Sequence, residues 1–385
     1  MLLTPATAIM NRLNCSTKML LISVAFILPL IVIQSLLVSE QLTAINVAKK
    51  EQLGVNYFIA LRPLIQHFPE HRGMTNAYLA GKTQLKEKIL SKRQQIAKDI
   101  QQVTLLNTEL GTTLKSSSQW RVIKNRWQQL ERDSFSGEQA DIFSQHSQLV
   151  VQLFTLISTM SDSSGLTTDP ELESFYIAQA AIRSIPNIVE YLGQARGMAS
   201  GIAVQKQINA LDSGKLFSLI ASIERNVASL ERSYVVLTQV NPQLAMHIST
   251  DINNAVNQSK QYLSYLKQEI LLANSISVNS TEVFSQGSQV IQANFKLIDK
   301  LIPELQILLQ DRTKQLNMKM LSTAGVGLFF TLLAIYLSLG FRHSLLTAIT
   351  GIKHSSGKLA KGDLRTRLAL DNQDEFADVA NSFNS

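Results

Sequence analysis

The chain has 385 residues, 45% of them apolar, and 36 Lys and Arg against 29 Asp and Glu, a formal charge of +7. That length allows more than one domain. The charge is too mild and dispersed to argue for a nucleic-acid partner, and a single cysteine, Cys15, excludes a disulfide-stapled fold.

In chain order, residues 1–18 form a short tail, and residues 19–38 ("MLLISVAFILPLIVIQSLLV") carry no charge over 20 positions. Residues 320–341 ("MLSTAGVGLFFTLLAIYLSLGF") repeat the pattern over 22 positions. At about 1.5 Å per residue, each helix crosses a hydrocarbon core of about 30 Å. Pro29 is tolerable in a membrane helix, where neighbours satisfy the freed carbonyl. The first run is too long for the apolar part of a signal peptide and lacks a clean cleavage site, so it reads as a retained anchor. Cys15 precedes that run, which does not fit a lipoprotein. Arg12 and Lys18 flank the first span, and Arg342, Lys353, Lys358, Lys361, Arg365 and Arg367 follow the second. Both ends are therefore expected in the cytoplasm, and residues 39–319 outside it, in the periplasm of a multi-pass inner-membrane protein.

The outer segment shows apolar residues at three and four spacing and little alternation, which predicts helices. Phe295, Ile298, Ile302, Leu305, Leu309 and Leu316 keep a heptad rhythm that Arg312 interrupts, and Pro303 bends that helix without ending it. The segment also echoes itself. Phe143–Ile157 ("FSQHSQLVVQLFTLI") and Phe284–Ile298 ("FSQGSQVIQANFKLI") are identical at eight of fifteen positions, 141 residues apart. "HRGMTNAYLAG" from His71 and "ARGMASGIAVQ" from Ala195 repeat Arg-Gly-Met at an offset of 124. Two echoes in the same order argue for a duplicated unit, with halves at about 39–165 and 166–319. The join, "SDSSGLTTDPELESFY", turns around Gly165 and offers Asp169 as N-cap, Pro170 at the first helical position, and Glu171 and Glu173 at the positive helix end. The expected fold class is all-α: a duplicated antiparallel helical-bundle sensor, two transmembrane helices and a partial HAMP coiled coil.

Arg72 shares a helix face with Thr75 and Asn76, and Arg196 with Ala199 and Ser200. Gly73 and Gly197 beside them permit close backbone approach. Two guanidinium forks around a small space suit a planar oxyanion, which would offset their burial. The other reading is close packing, with Arg72 paired to Glu70 or another acid, and Arg196 to Glu190 or a partner subunit.

The stretches "HRGMTNAYLAG", "DSSGLTTDPELESFY" and "EYLGQARGMASG" resemble the nitrate- and nitrite-sensing (NIT) domain of bacterial chemoreceptors and sensor kinases, over most of residues 39–319. The resemblance implies an all-helical module that grips its anion with arginines from both halves, here Arg72 and Arg196. His71, Thr75 and Ser200 complete the candidate ligand site. His71 stands where some members of that family carry a second arginine.

In residues 342–385, Leu345, Ile349, Ile352, Ser356 and Leu359 form one seam, Gly362-Asp363-Leu364 breaks it, and Phe376, Val379 and Phe383 begin another. "KGDL" and "DEF" at this distance from a span resemble the HAMP linker, without its usual proline near Ala348. That resemblance implies a homodimer. A seam of about two turns does not end stably, so an output domain is expected beyond Ser385; the resemblance implies a methyl-accepting hairpin that addresses a cytoplasmic kinase and adaptor complex.

No enzyme is expected. His67 and His71 have metal-compatible spacing, but Pro69 lies between them and no ligand beyond Glu70 is evident. No phosphate loop or nucleophile set stands out, and no cofactor is implied. Trp120 and Trp127 read as bundle core. The expected function is a transmembrane chemoreceptor for a small anion, nitrate or nitrite. The alternatives are a sensor of small carboxylates, the sensor part of a histidine kinase or cyclase, and a ligand-free scaffold that senses a protein.

Overall fold

Three-and-four apolar spacing yields helices almost throughout. The computed structural model describes residues 3–385, among which no strand occurs. In chain order the helices are α1 (Thr4–Asn11), α2 (Cys15–Leu79), α3 (Lys86–Leu110), α4 (Ser117–Asp133), α5 (Gln139–Ser164), α6 (Leu172–Ala178), α7 (Ile185–Gln205), α8 (Ala210–Val240), α9 (Pro242–Leu266), α10 (Ser280–Leu359) and α11 (Glu375–Asn384). Residues 46–314 form one compact unit; residues 315–385 and those before 46 form another.

Within 46–314 the first half is the run of α2 from residue 46 with α3, α4 and α5, and the second is α6 to α10. Neighbours run antiparallel. On α2 and α3, Tyr57 meets Asn107 and His67 meets Asp99. Between α8 and α9, Glu231 meets Lys260, and Glu224 meets Lys267 just past the end of α9. The outer helices pair as well: Arg62 with Asp299, and Gln52 with the Leu309 carbonyl. One core runs through both halves and includes Phe58, Leu61, Phe68, Trp120, Trp127, Leu230 and Leu301. Along α10, Phe295, Ile298, Ile302, Leu305 and Leu309 are buried, as their rhythm predicts, while Leu316 is only half-buried. Pro303 sits inside this uninterrupted helix.

Gly165 ends α5 in the left-handed region (φ 95°), where a side chain would be strained. The expected cap at Asp169 is different in detail: the helix starts at Leu172, with Glu171 preceding it. Asp169 Oδ1 accepts from the Glu171 amide at 2.9 Å and from Arg312 Nη1 at 2.6 Å. The guanidinium draws Asp169 inward, away from the helix end. The same Arg312 also pairs with Glu51, whose side chain is wholly buried. The heptad's interruption is thus the cation that two buried carboxylates require.

In the other unit, the apolar stretches of α2 and α10 present their side chains outward; Phe26 is 72% and Leu321 74% exposed. They run antiparallel, with Arg342 donating to Ser16 Oγ and Gln34 to the Thr323 carbonyl. After α10, Gly362 adopts φ 91° and Asp363 accepts from the Arg365 amide, which makes the turn at Gly-Asp-Leu. Asp374 caps α11 through the Phe376 amide, and the Asn384 side chain bonds both the N–H and C=O of Leu368.

Replacing Arg312 with Ala strands two buried carboxylates. It should lower the unfolding free energy by about 3–5 kcal/mol, read as a shift in denaturant midpoint. Burial raises the Asp169 carboxyl above its ordinary 3.8, so the folded state takes up that proton first. The loss in Arg312→Ala should therefore shrink as pH falls toward 3.8.

Candidate functional site

The repeats meet in space. Arg72 lies on α2, the first helix of its half; Arg196 lies on α7, the corresponding helix of the second. Each reaches the last helix of its own half, α5 or α10. Arg72 sits over the Phe143 ring at 5.4 Å and donates to Ser147 Oγ at 3.3 Å. Arg196 sits over the Phe284 ring at 4.3 Å and donates to Ser288 Oγ at 2.7 Å. Phe143 and Phe284, like Ser147 and Ser288, are separated by the 141-residue offset of the second echo. Each half thus builds the same Arg-Phe-Ser cluster from its two repeated motifs.

The clusters differ in what faces the guanidinium. Arg72, 3% exposed, is held by Glu190 of the opposite half, with Nη1 to Oε1 at 2.7 Å and Nη2 to Oε2 at 3.2 Å. Gln194 donates to the same carboxylate at 2.6 Å. The 124-residue offset maps Glu190 onto Gln66, a neutral amide. Arg196 accordingly has no carboxylate partner among the described residues, and its buried Nε has no acceptor. Burial lowers its pKa below the usual guanidinium value, the response of a desolvated cation.

Arg196 opens instead on a cavity of about 450 Å³ between α2, α7 and α10. Arg62, Gln66 and Glu70 line it from α2, and Ser288, Phe295, Lys296 and Asp299 from α10. Both carboxylates are already engaged, Asp299 by Arg62 and Glu70 by Lys92. Neither Arg196 nor Lys296 has such an ion pair among the described residues, so the cavity lining, with Arg62, Arg196 and Lys296 against Glu70 and Asp299, carries a net positive charge around a planar donor fork.

Of the five residues singled out in the sequence, Arg196 alone lines this cavity. Arg72 is closed off by Glu190, in place of the free fork expected. His71 is fully buried, beside Trp127, with Nδ1 2.8 Å from His146 Nε2. Because His146 Nδ1 lies 2.7 Å from the Ile142 carbonyl, that nitrogen carries the proton, and His71 Nδ1 must be the donor in the pair. Burial drives both imidazoles down, His71 to about 2 and His146 to about 4. Both are neutral near pH 7 and give no cation to an anion. Thr75 lies in the same buried layer, 3.4 Å from His71 Nδ1. Ser200, one turn past Arg196, has a buried hydroxyl without a partner. In the second half Ala195 and Gly287 replace the histidine pair. A side chain on Gly287 would lie 2.6 Å from the Tyr262 hydroxyl and 2.9 Å from Arg196 Cγ. Gly73 and Gly197 have nothing within 4 Å of a would-be Cβ; they face away from the clusters, so close approach is not their role. His67 is turned to Asp99 rather than to His71.

The asymmetry predicts unequal mutants. Arg72→Ala leaves a buried carboxylate unpaired and should cost about 3–5 kcal/mol of stability. Arg196→Ala removes a cation–π contact and should cost about 1 kcal/mol or less. Thermal unfolding of the two variants checks the contrast. The histidine pair adds a pH signature. Its folded values are depressed, so its stabilisation is complete above the ordinary 6.5 and is lost as pH falls toward 4. The slope should approach about 2.7 kcal/mol per pH unit for two histidines, seen in urea midpoints across that range.

Three comparisons bear on the chain. Residues 340–385 match the model of the HAMP domain. The solved structure of the NasR transcription antiterminator is similar at a TM-score of 0.56 and 12% identity, over 85% of this chain and 90% of that one, which shows a shared helical fold. No curated protein matches. A HAMP domain directly after an apolar helix of membrane-crossing length makes this chain a bacterial transmembrane signal transducer.

Proposed function

We propose that the chain is a dimeric inner-membrane receptor that binds a small planar anion on its periplasmic side and relays binding to its HAMP domain. The observation that carries this reading is Arg196: a guanidinium without a carboxylate, open to a 450 Å³ cavity that also holds Lys296. Nitrate or nitrite is the ligand implied by the resemblance to nitrate-sensing domains. A small carboxylate is the second reading, favoured by the carboxylate that already occupies Arg72. Both ligands are flat and present oxygens to a fork. The receptor is not an enzyme in this reading; its cavity supplies donors without a nucleophile or base set to act.

Binding transmits only if the ligand prefers one arrangement of the helices around it. The cavity lies between α2, α7 and α10, and α2 and α10 are also the helices that carry the two apolar stretches. A ligand that draws Arg196 toward α2 and α10 therefore acts on both. The output is expected to reach a cytoplasmic kinase and adaptor complex.

Calorimetry of the purified chain with nitrate, nitrite, acetate and succinate tests the reading. One of these anions should bind, and Arg196→Ala should weaken it by about 10- to 100-fold, the worth of a hydrogen bond to a charged group. Binding unchanged in Arg196→Ala would remove the site. A complete lack of heat with every anion would favour a scaffold that senses a protein.

A further inference from the structure

Glu190 and Gln66 occupy the same place in the two halves, and they are not equivalent chemically. Each is on the helix that carries the Arg-Gly-Met motif of its half, six residues before that arginine. Arg72 is held across the seam by Glu190, and Gln66 lines the cavity of Arg196 across the same seam. The other parts of the clusters match: arginine, ring, hydroxyl. What differs is that one cluster receives a carboxylate from across the seam and the other faces an opening. The surroundings follow suit. Val151 and Thr155 stand where the open half has Gln292 and Lys296, both of which line the cavity.

We infer that Glu190 is a tethered ligand: its carboxylate fills, at Arg72, a binding position for a free carboxylate. The closed half is the liganded form of the architecture, made permanent by one side chain. The Arg72 cluster is accordingly a second anion site that removal of Glu190 would uncover, with acetate or propionate as the matching chemistry. The corollary names carboxylates as the ligand class of the open half; that part rests on the reading of the Arg196 cavity as a binding site. A bidentate pair with two parallel N–H···O contacts, further braced by Gln194, is the geometry such a ligand would adopt.

The test is rescue of the full-length chain. Glu190→Ala should melt well below the parent, and propionate should recover at least half of that shift saturably, where sodium chloride at matched ionic strength does not. The double variant Arg72→Met with Glu190→Ala should show no such recovery. If Glu190→Ala is too unstable to purify alone, expression and purification in propionate poses the same question. A propionate response no larger than that to chloride, or one that survives loss of Arg72, overturns the inference. A reverse exchange gives an arm that does not depend on a weakened core. Gln66→Glu should close the open cluster with a carboxylate from across the seam and reduce anion binding at Arg196 by at least tenfold; undiminished binding counts against the tethered-ligand idea. Rescue of Glu190→Ala with no anion bound by the parent chain would reject the Arg196 site and keep the role of Glu190. Binding by the parent without rescue would do the reverse.

Discussion

A buried guanidinium needs an oxyanion, and the seam between the two halves of the helical unit is organised around that need. Arg72 meets it internally through Glu190. Arg312 meets it twice over, with Glu51 and Asp169. Arg196 meets it with a hydroxyl and a ring alone. Desolvation of an ion costs several kcal/mol unless a partner returns it, and Arg196 is the one of these three arginines without a carboxylate among the described residues. Its neighbours fit that description: the nearby carboxylates are spoken for, and the remaining charge is positive.

Duplication explains how such a point arises. A seam between two similar halves makes two copies of every cross-seam contact. A change in one copy leaves that contact filled on one side and open on the other without disturbing its twin. The histidine pair of the first half shows the same process elsewhere. His71 and His146 fill with two rings what Ala195, Gly287 and the Tyr262 hydroxyl fill in the second half.

Much of this was legible in the sequence. The apolar spans, the heptad of α10 and the repeated motifs all report local periodicity, which a single helix expresses by itself. Phe143, Ser147, Phe284 and Ser288 stood among the identical positions of the longer echo, and they are the residues that touch the arginines. What the sequence concealed was pairing between helices. Glu190 read as a partner for Arg196, six residues away on its own helix; packing of α7 against α2 gives it to Arg72. Asp169 read as a cap because its neighbours are good helix starters, and only the arrival of Arg312 from 143 residues away changes its role. Gln66 carried no signal at all, since its meaning lies in what it is not: the amide at a carboxylate's address.

Between α6 and α7 the backbone winds as a π-helix over Gln179–Ser184, a stretch that α2 traverses as ordinary α-helix. A π-bulge accommodates one additional residue within a helix. Beyond it the halves align at 124, so before it they align at 124 − 1, or 123. Glu51 then falls opposite Ser174 rather than Phe175. Any comparison of the halves that ignores this slip assigns the residues before the bulge to the wrong helical faces.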